Sequence, residues 1–366
     1  MSKASTDIHG GNIYKASQLY GINTQDILDF SANINPLGIP DSVRKALAEG
    51  IDSLVNYPDP ECIALRQGIG GYLDIPPENI IVGNGATEIV FLLYDSLKLR
   101  KVLIPAPAFA EYSKAAKASG CEIIYHEMRE EAGFALEIPR LIDDIAADVD
   151  AIFICNPNNP TSSLISKSEL IYLARQAQMR NTRVIVDEAF IELTCGGNEN
   201  SIVQAVKEFD NIFIIRAFTK IFAIPGLRLG YGIGSSDIIG AMWERKQPWS
   251  VNNLACALGN VFRQEKEYLH RTSLWLKEEK ERLFNELNRL GNLKVFYPQT
   301  NFILVKILDE GLTAKSLRDM MARRGILIRD ASNFTFLDDR FVRVAVKDRA
   351  SNEKLIDTFK SVLYER

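Results

Sequence analysis

The stretch NIFIIRAFTKIFAIPGLRLGY, residues 211–231, sets a single lysine between two apolar runs that are typical of buried strands. Lys220 follows Thr219, and Arg228 lies further on within the glycine-rich run GLRLG. A lysine in a partly dry pocket has a lowered pKa and can form a Schiff base with an aldehyde cofactor. The neighbouring hydroxyl and guanidinium are suited to a phosphate, so the stretch predicts a pyridoxal-phosphate site. The alternative is a solvated lysine in the loop between two strands.

Upstream of this stretch, strand-like and helical segments alternate along the chain. Apolar runs typical of strands follow Asn79 and recur at 102–104, 122–125, 151–155, 184–186 and 212–215. Helical stretches separate most of them, and this alternation predicts an α/β fold with a mostly parallel sheet covered by helices. Ligands on such sheets bind at the carboxyl ends of the strands. The residues that follow each predicted strand are therefore the candidates for a binding site.

Three features at successive strand ends match the needs of a pyridine ring. Phe109 follows the strand that ends at Pro105, the run NPNNPT at 156–161 follows Cys155, and Asp187 ends a further apolar run. An aromatic side chain can cover the ring face, an amide can donate to the phenolate oxygen, and a carboxylate can neutralise the pyridinium nitrogen. Each feature also has a structural alternative, namely a core aromatic, a proline-rich turn and a helix cap.

A glycine turn, GNGAT at 83–87, separates the first of these strands from an apolar helix. Gly85 and Ala86 lie where the N-terminus of that helix would meet a phosphate. The motif is weak by itself, because many strand-to-helix turns use glycine for geometry only.

Beyond Tyr231 the pattern predicts a second, smaller lobe of α+β type. A charged helical region at about 252–289 precedes strands at 293–297, 302–306, 325–329 and 341–346, with helices near 313–323 and from Ser351. Arg329 ends the apolar run ILIRD, and Arg343 lies in the middle of FVRVAV. Most strand arginines face solvent, but an arginine flanked in this way is often buried against an anion.

The first forty residues predict an N-terminal arm and not a core element. They contain HGGN at 9–12 and DFSANINPLG at 29–38, which are polar and rich in glycine. His9 and Gly10 are suited to bring an imidazole and close backbone amides against an anion, whereas the alternative is a solvent-exposed leader. The predicted division is an arm at 1–40 that packs with the small domain, a large cofactor-binding domain at 41–250, a connecting helical region at 251–290 and a small domain at 291–366.

The composition is that of an ordinary globular chain, with 366 residues, 46% hydrophobic and 25% charged, and a net charge of −4. This charge gives no general reason to expect nucleic acid or an anionic membrane as a partner. No apolar run reaches the length of a membrane span, and the N-terminus lacks the apolar core of a signal peptide, which predicts a cytoplasmic protein. Five scattered cysteines, without CxxC or Cys/His clustering, predict reduced thiols and neither a disulfide framework nor a metal site.

Several long runs give the sequence a resemblance to the fold-type I pyridoxal-phosphate enzymes of the aminotransferase superfamily, over essentially the full chain. They are HGGN, DFSANINPLG, DEAF, TKIFAIPGLRLGY and PWSVN at 248–252. Within the superfamily the sequence is similar to histidinol-phosphate aminotransferases and, most of all, to the threonine-phosphate decarboxylases of cobalamin biosynthesis. The resemblance implies a large domain with a seven-stranded, mostly parallel sheet, a smaller α+β domain and a homodimer with shared active sites.

The activity that this resemblance implies is the decarboxylation of L-threonine O-3-phosphate. The alternatives are amino transfer from histidinol phosphate and, in another class, a catalytically silent binding protein on the same fold. The bond to Cα that breaks is the one held perpendicular to the cofactor ring. Placement of the substrate carboxylate and phosphate therefore decides between the two reactions.

The resemblance also implies roles for individual residues. Lys220 forms the covalent link to the cofactor and shuttles protons, and Asp187 keeps the pyridine nitrogen protonated. The rest of the cofactor site comprises Phe109 on the ring, Asn159 at its phenolate oxygen, Gly85, Ala86, Thr219 and Arg228 at the phosphate, and Tyr57 of the partner subunit. Substrate binding falls to Arg343 and Asn159 for the carboxylate and to Arg329, His9, Gly10 and Asn33 for the phosphate.

Three positions depart from the family pattern. Phe190 stands where a tyrosine usually donates to the phenolate oxygen, Ala217 where a hydroxyl often binds the cofactor phosphate, and Ser162 where glycine commonly follows NPT. The second departure removes one hydrogen bond, a loss of roughly 1 to 2 kcal/mol if nothing replaces it. None of the three removes a chemically necessary group.

Overall fold

The computed structural model describes residues 10–364. Its strands are β1 (Leu28–Asp29), β2 (Ile80–Asn84), β3 (Lys101–Ala106), β4 (Glu122–Glu127), β5 (Ala151–Cys155), β6 (Arg183–Asp187), β7 (Ile212–Ala217), β8 (Leu229–Ile233), β9 (Leu293–Val295), β10 (Phe302–Ile307), β11 (Ile326–Leu327), β12 (Arg329–Asp330) and β13 (Phe341–Ala345). Its helices are α1 (Ile13–Tyr20), α2 (Asp41–Glu49), α3 (Ile63–Leu73), α4 (Ala86–Leu97), α5 (Ala110–Ala118), α6 (Ile138–Asp143), α7 (Lys167–Gln178), α8 (Phe218–Ile221), α9 (Ser236–Trp243), α10 (Asn253–Cys256), α11 (Lys266–Asn288), α12 (Ala314–Ala322) and α13 (Arg349–Tyr364).

The sheet of the large lobe has seven strands in the order β2-β8-β7-β6-β5-β3-β4. Its neighbouring pairs are parallel except those of β8, which runs antiparallel to both β2 and β7. In β6, Val184 and Val186 face one apolar core while Ile185 faces the other. Burial on both faces explains why the sequence of such a strand is almost continuously apolar. The predicted α/β fold with a mostly parallel, seven-stranded sheet is confirmed.

The parallel strands bring the predicted cofactor residues to one edge of this sheet. Cys155, the last residue of β5, is aligned with Asp187, which in turn is aligned with Ile215 of β7. The hydrogen bonding between β5 and β6 continues one residue beyond β5, where the N–H of Asn156 donates to the carbonyl of Asp187 (2.8 Å). The loops that carry Asn159 and Lys220 therefore start from β5 and β7, the two strands that flank β6 and its Asp187.

The second lobe is built on a four-stranded antiparallel sheet in the order β12-β13-β10-β9. Helices α11, α12 and α13 contribute Leu283, Leu317 and Phe359 to its buried core. This core is distinct from the two that flank the large sheet. The predicted smaller α+β lobe is thus present, while the residue numbers of the domain boundaries stay a prediction.

The segment that follows β1 connects the arm to both lobes. β1 pairs in parallel with β11, and the N–H of Phe30 donates to the carbonyl of Leu327 (2.7 Å) while its own carbonyl accepts from Ala345 (2.8 Å). A few residues later, the N–H of Asn35 donates to the carbonyl of Lys220 (3.2 Å). The chain therefore passes from the strands of the small lobe directly to the lysine segment of the large lobe.

Three details differ from the sequence expectation. The strand predicted at 325–329 is divided at Ile328, because β11 pairs with the arm whereas β12 pairs with β13. The helical region predicted at 252–289 is divided into α10 and α11. The strand predicted at 293–297 is shorter, since β9 ends at Val295.

Across residues 10–364, no helix combines the length and the apolar character that crossing a bilayer requires. The same part of the chain has no group of three or more His, Cys, Asp or Glu side chains placed to hold a metal ion. Cys62, Cys121 and Cys155 are buried thiols.

Candidate active site

A cavity of about 440 Å³ lies at the carboxyl edge of the large sheet, where the arm and the small lobe meet it. Its walls include most of the side chains that the sequence predicts for the site. These are Gly10, Asn33, Ala86, Phe109, Asn159, Asp187, Thr219, Lys220, Arg228, Arg329 and Arg343. The structure brings these residues together, and their individual roles stay predictions.

Three predicted residues are not among those that line this cavity, namely Gly85, Tyr57 and His9. Gly85 directly precedes Ala86, which does line it. Tyr57 lies outside it, with 80% of its surface exposed and its ring 5.0 Å from that of Trp249. Since Tyr57 does not line the cavity of its own chain, its predicted contact with the cofactor needs a second subunit. His9 falls outside the residues that the structure describes.

Lys220 lies in α8, the short helix that follows β7, and it lines the cavity. Burial, with the positive charges of Arg343 and Arg228, lowers the pKa of Lys220 to about 8. An appreciable fraction of the amine is then neutral near physiological pH and nucleophilic toward an aldehyde. The side chain of Asn35 donates to the carbonyl of Ile221 (2.9 Å), which fixes the backbone beside the lysine.

Asp187 ends β6 with a buried carboxylate. Burial raises its pKa, and two donors oppose that shift, the hydroxyl of Tyr112 to Oδ2 (2.6 Å) and the N–H of Ala189 to Oδ1 (2.9 Å). A carboxylate accepts up to about four hydrogen bonds, so Asp187 keeps capacity for a further donor such as a protonated ring nitrogen. Phe109 lines the same cavity and packs edge-on against Tyr112, with ring centroids 5.7 Å apart.

Gly85 and Arg228 form a cradle for an anion at the N-terminus of α4. Gly85 is the N-cap residue, with a φ of 82°, and a Cβ at this position would lie 2.4 Å from Nη2 of Arg228. Only glycine therefore lets the backbone approach the guanidinium this closely. The N–H groups at the helix start, the guanidinium and the Thr219 hydroxyl form a donor set that fits a phosphate.

Arg343 is buried in β13, and the hydrogen bonds of its guanidinium within residues 10–364 go to neutral acceptors. Nη1 donates to Oδ1 of Asn159, and Nη2 donates to the carbonyl of Ser31 (2.7 Å). Nε has no hydrogen-bond partner among residues 10–364. Burial and the charge of Arg329 lower the pKa of Arg343 to about 9. The guanidinium is thus a desolvated cation with an unused N–H, which an anion in the cavity would stabilise.

Arg329 is the aligned partner of Arg343 across β12 and β13. Its Nη2 donates to Oδ1 of Asn333 (2.6 Å), and its guanidinium lies 5.4 Å from the centre of the Phe334 ring. Both arginines therefore enter one cavity from adjacent strands. This arrangement is suited to a ligand with two anionic groups.

Arg343 also fixes the orientation of the Asn159 amide. Because the guanidinium donates to Oδ1, the Nδ2 group is left to donate elsewhere, as the predicted bond to a phenolate oxygen requires. Phe190, which takes the position of the family tyrosine, lies in the same cavity wall and packs edge-on against Phe302 at 5.2 Å. Phe190 therefore supplies contact area to the cavity wall but no hydrogen-bond donor.

Ser162 replaces the family glycine without losing its backbone conformation. It is buried with a φ of 64°, in the left-handed region that glycine favours. Its hydroxyl accepts from the N–H groups of Gln299 and Thr300 (both 3.0 Å). The side chain therefore strengthens the link between the NPNNPT loop and the small lobe, to which a glycine would contribute only its carbonyl, bonded to the N–H of Gln299 (3.1 Å).

The cavity wall also contains residues that are absent from the predicted set, among them Ser31, Glu111, Asn333 and Phe334. Ser31 lies within the DFSANINPLG run, so the density of small polar side chains there was a usable signal. Asn333 and Phe334 belong to no motif, and only the fold places them beside Arg329.

The chain belongs to the aminotransferase class I and II family, whose sequence model matches residues 25–359. It is 39% identical to the threonine-phosphate decarboxylase of Salmonella typhimurium, over 97% of this chain and 96% of that protein. The solved structure of the histidinol-phosphate aminotransferase from Clostridium acetobutylicum shares 38% sequence identity and a TM-score of 0.85, covering 92% of this chain and 99% of that chain. The solved structure of L-threonine-O-3-phosphate decarboxylase from Porphyromonas gingivalis shares 27% sequence identity and a TM-score of 0.82, and it also covers 92% of this chain and 99% of that chain. The resemblance predicted from the sequence is confirmed.

Proposed function

We propose that the protein is a pyridoxal-phosphate-dependent decarboxylase of L-threonine O-3-phosphate, which forms CO2 and (R)-1-aminopropan-2-yl phosphate for cobalamin biosynthesis. The observation that carries this proposal is the aligned pair of buried arginines, Arg329 and Arg343, in one cavity. L-Threonine O-3-phosphate carries a carboxylate on Cα and a phosphate on the neighbouring carbon, so it offers one anion to each arginine. Similarity to a threonine-phosphate decarboxylase over almost the full length of both chains supports the same reaction.

Pyridoxal phosphate fits the donor set of the site. Gly85, Ala86, Thr219 and Arg228 would hold its phosphate, Phe109 would lie against the ring, Asn159 would donate to the phenolate oxygen, and Asp187 would accept from the ring nitrogen. When bound, this cofactor links covalently to an amine and takes up the electron pair that a departing carboxylate leaves.

The chain itself supplies a nucleophile and a fixed negative charge. Lys220, with its lowered pKa, presents a neutral Nζ that can bond to an aldehyde and can accept and return a proton. Asp187 lines the same cavity with a buried carboxylate, and its hydrogen bond from Tyr112 favours the ionised form. That negative charge stabilises a protonated ring nitrogen.

Arg343 and Arg329 would decide which bond to Cα is broken. Arg343 is held by Asn159 and Ser31 and lines the cavity, so its guanidinium would meet a carboxylate from a fixed position. Arg329, with Gly10 in the same wall, would hold the phosphate. Two anion contacts together fix the rotation about Cα, which places the carboxylate for release and lowers the barrier by orientation.

The proposed enzyme is a homodimer with shared active sites. Apolar side chains at Ile51, Leu54, Val55 and Trp249, close to Tyr57 in sequence or in space, are 50% to 87% exposed. Monomeric proteins rarely expose apolar patches of this kind. A second copy that covers the patch would let Tyr57 serve the cavity of the partner. A cytoplasmic location stays a prediction of the sequence.

A histidinol-phosphate aminotransferase is the second candidate, because the solved structure of the enzyme of that name from Clostridium acetobutylicum shares 38% sequence identity. Histidinol phosphate carries an amine and a phosphate but no carboxylate. In that reaction Arg343 would therefore serve only the oxo-acid acceptor.

One incubation separates the two candidates. Purified protein is given L-threonine O-3-phosphate with pyridoxal phosphate as the only additive, and CO2 and the amine product are measured. Equal amounts of both products support the decarboxylase. Amino transfer from histidinol phosphate to 2-oxoglutarate, without CO2 from L-threonine O-3-phosphate, identifies the second candidate. A preparation without turnover on either substrate and without the yellow absorbance of lysine-linked cofactor would indicate a silent binding protein.

A further inference from the structure

Ser31 lies between Arg343 and the outer part of the arm, residues 10–20, and it is bonded to both. Its hydroxyl accepts from the N–H of Gly11 (2.8 Å), and its carbonyl accepts from Nη2 of Arg343 (2.7 Å). The residue is buried and lines the cavity. A single residue therefore supports the arm with its side chain and the arginine with its backbone.

Asp29 fixes the direction of the Ser31 hydroxyl. Oδ1 of Asp29 accepts from the N–H of Ser31 (2.8 Å) and from its hydroxyl. A serine hydroxyl has one proton, so a hydroxyl that donates to Asp29 presents only lone pairs to Gly11. The charge-assisted bond to the carboxylate thereby prepares Ser31 as an acceptor for the arm.

The backbone before Ser31 is held on both sides by the small lobe. The N–H of Phe30 donates to Leu327 and its carbonyl accepts from Ala345, the last residue of β13. Ser31 therefore has a fixed position relative to the strand that carries Arg343. The hydroxyl of Ser31 is the part of this support that faces the arm.

Gly10 packs against Ser31 so closely that no side chain fits. A Cβ at residue 10 would lie 2.2 Å from the carbonyl oxygen of Ser31. Gly10, Ser31 and Arg329 line both the main cavity and a smaller one, of about 60 Å³, next to α1. Residues 10 and 31 therefore belong to the wall between the two cavities, on the side where Arg329 lies.

We propose that Ser31 is a positioning residue that determines specificity for phosphorylated amino acids. The bond between its hydroxyl and the N–H of Gly11, which we term the latch, holds residues 10–12 on the wall beside Arg329. The inference rests on the proposed function, in which Arg329 and Gly10 receive the substrate phosphate. Loss of the latch weakens recognition of the phosphate, while the carbonyl that orients Arg343 stays in place.

Ser31→Ala, in the full chain loaded with pyridoxal phosphate, removes the latch and keeps the carbonyl. We expect the KM for L-threonine O-3-phosphate to rise about three- to ten-fold, the effect of one net hydrogen bond, with kcat within about two-fold of wild type. Amide hydrogen exchange over residues 10–20, read by mass spectrometry without substrate, should become faster in the variant.

Matched variants separate the latch from a general loss of stability. Ser166→Ala removes the serine cap of α7, and it should lower stability without a change in KM or in exchange of residues 10–20. Asp29→Ala should accelerate that exchange as Ser31→Ala does. Asp29→Asn keeps an acceptor oxygen for Ser31 and should restore slow exchange.

Three results would overturn the assignment of Ser31: an unchanged KM in Ser31→Ala, a fall in kcat alone, or unchanged exchange of residues 10–20. The proposed function can fail separately, if the wild-type protein releases no CO2 from L-threonine O-3-phosphate. In that case the exchange measurement, which needs no substrate, still decides whether Ser31 holds the arm.

Discussion

Arg329 and Arg343 are aligned partners on the antiparallel strands β12 and β13, and both are buried in the wall of one cavity. Each guanidinium lies over an aromatic ring, that of Phe334 for Arg329 and that of Phe302 for Arg343. The proximity of the two cations contributes to the lowered pKa of Arg343. A ligand with two anionic groups relieves this repulsion, so the strand register itself favours a phosphorylated amino acid.

Arg329→Gln and Arg343→Gln should separate the two anion contacts. Arg329→Gln should weaken binding of L-threonine O-3-phosphate by at least about 30-fold, equivalent to about 2 kcal/mol for a lost buried charge contact, and affect L-threonine far less. Arg343→Gln should weaken the binding of L-threonine O-3-phosphate and of L-threonine to a similar degree, because both carry the carboxylate. Binding is followed by the absorbance change of the lysine-linked cofactor. Equal losses on both ligands in Arg329→Gln would place the phosphate elsewhere.

Lys220→Met should abolish CO2 release and stabilise the cofactor-free protein. The pKa of Lys220 in the folded state, about 8, lies below the ordinary value of 10.5. The unfolded chain therefore binds more protons between these pH values, and the free energy of unfolding of the wild type should rise with pH through that window. The variant lacks this contribution, so it should be the more stable protein at about pH 7, with a difference that narrows toward about pH 10.

Urea unfolding of both cofactor-free proteins at several pH values measures this difference. If the difference in the free energy of unfolding between the two proteins does not change with pH, burial does not disfavour the charged amine of Lys220. Wild-type turnover in Lys220→Met would refute the role of the lysine in the reaction.

The residues that could be predicted from the sequence are those that act through their chemical type. A lysine, an acid or an arginine within an apolar run has few structural uses, and Lys220, Asp187 and Arg343 were recognisable for that reason. Ser31 and Phe334 act through position, because only the fold sets one beneath the arm and the other beside an arginine. No local pattern marks Phe334, and the polar run at 29–38 marks Ser31 only as one of several small polar candidates.

The same distinction holds for the fold. The alternation of strands and helices predicts the large parallel sheet, since an inner strand such as β5 is buried along its whole length and apolar throughout. The division of the predicted strand at 325–329 depends on two distant partners, β1 for β11 and β13 for β12. Strand pairing of this kind is a tertiary property, so the sequence of the segment does not reveal it.

Gly85→Ala should weaken cofactor binding through a clash with Arg228. The new Cβ would lie 2.4 Å from Nη2 of Arg228, which must move out of the cradle. Gly133→Ala is the matched control, because its φ is also positive, at 63°, and no atom lies within 4 Å of the new Cβ. Both variants should lose about 1–3 kcal/mol of stability to backbone strain, but only Gly85→Ala should release pyridoxal phosphate on dialysis. Equal retention in the two variants would argue against the cradle.

Tyr57→Ala and Lys220→Ala should complement each other if the active sites are shared. Each homodimer is expected to have low activity, since every site lacks either the tyrosine or the lysine. After subunit exchange, a mixed dimer has one site with both residues intact, and CO2 release should reappear. Size-exclusion chromatography with light scattering measures the assembly, and Val55→Asp, which places a charge in the exposed apolar patch, should shift it toward monomer. Activity that does not return on mixing would confine each site to one chain.

Tyr112→Phe should raise the pKa of Asp187, because the hydroxyl that donates to Oδ2 (2.6 Å) favours the ionised carboxylate. The carboxylate is then protonated at a higher pH, so the acid limb of the plot of kcat against pH should shift to higher pH. The loss of this buried hydrogen bond should also lower the free energy of unfolding by about 1–3 kcal/mol.

Tyr94→Phe is the control, since the Tyr94 hydroxyl is buried without a hydrogen-bond partner in the described part of the chain, and its ring stacks on Phe153 at 4.8 Å. Tyr94→Phe should leave the pH profile unchanged and should not reduce stability. An acid limb that stays in place in Tyr112→Phe would show that Asp187 does not depend on this donor.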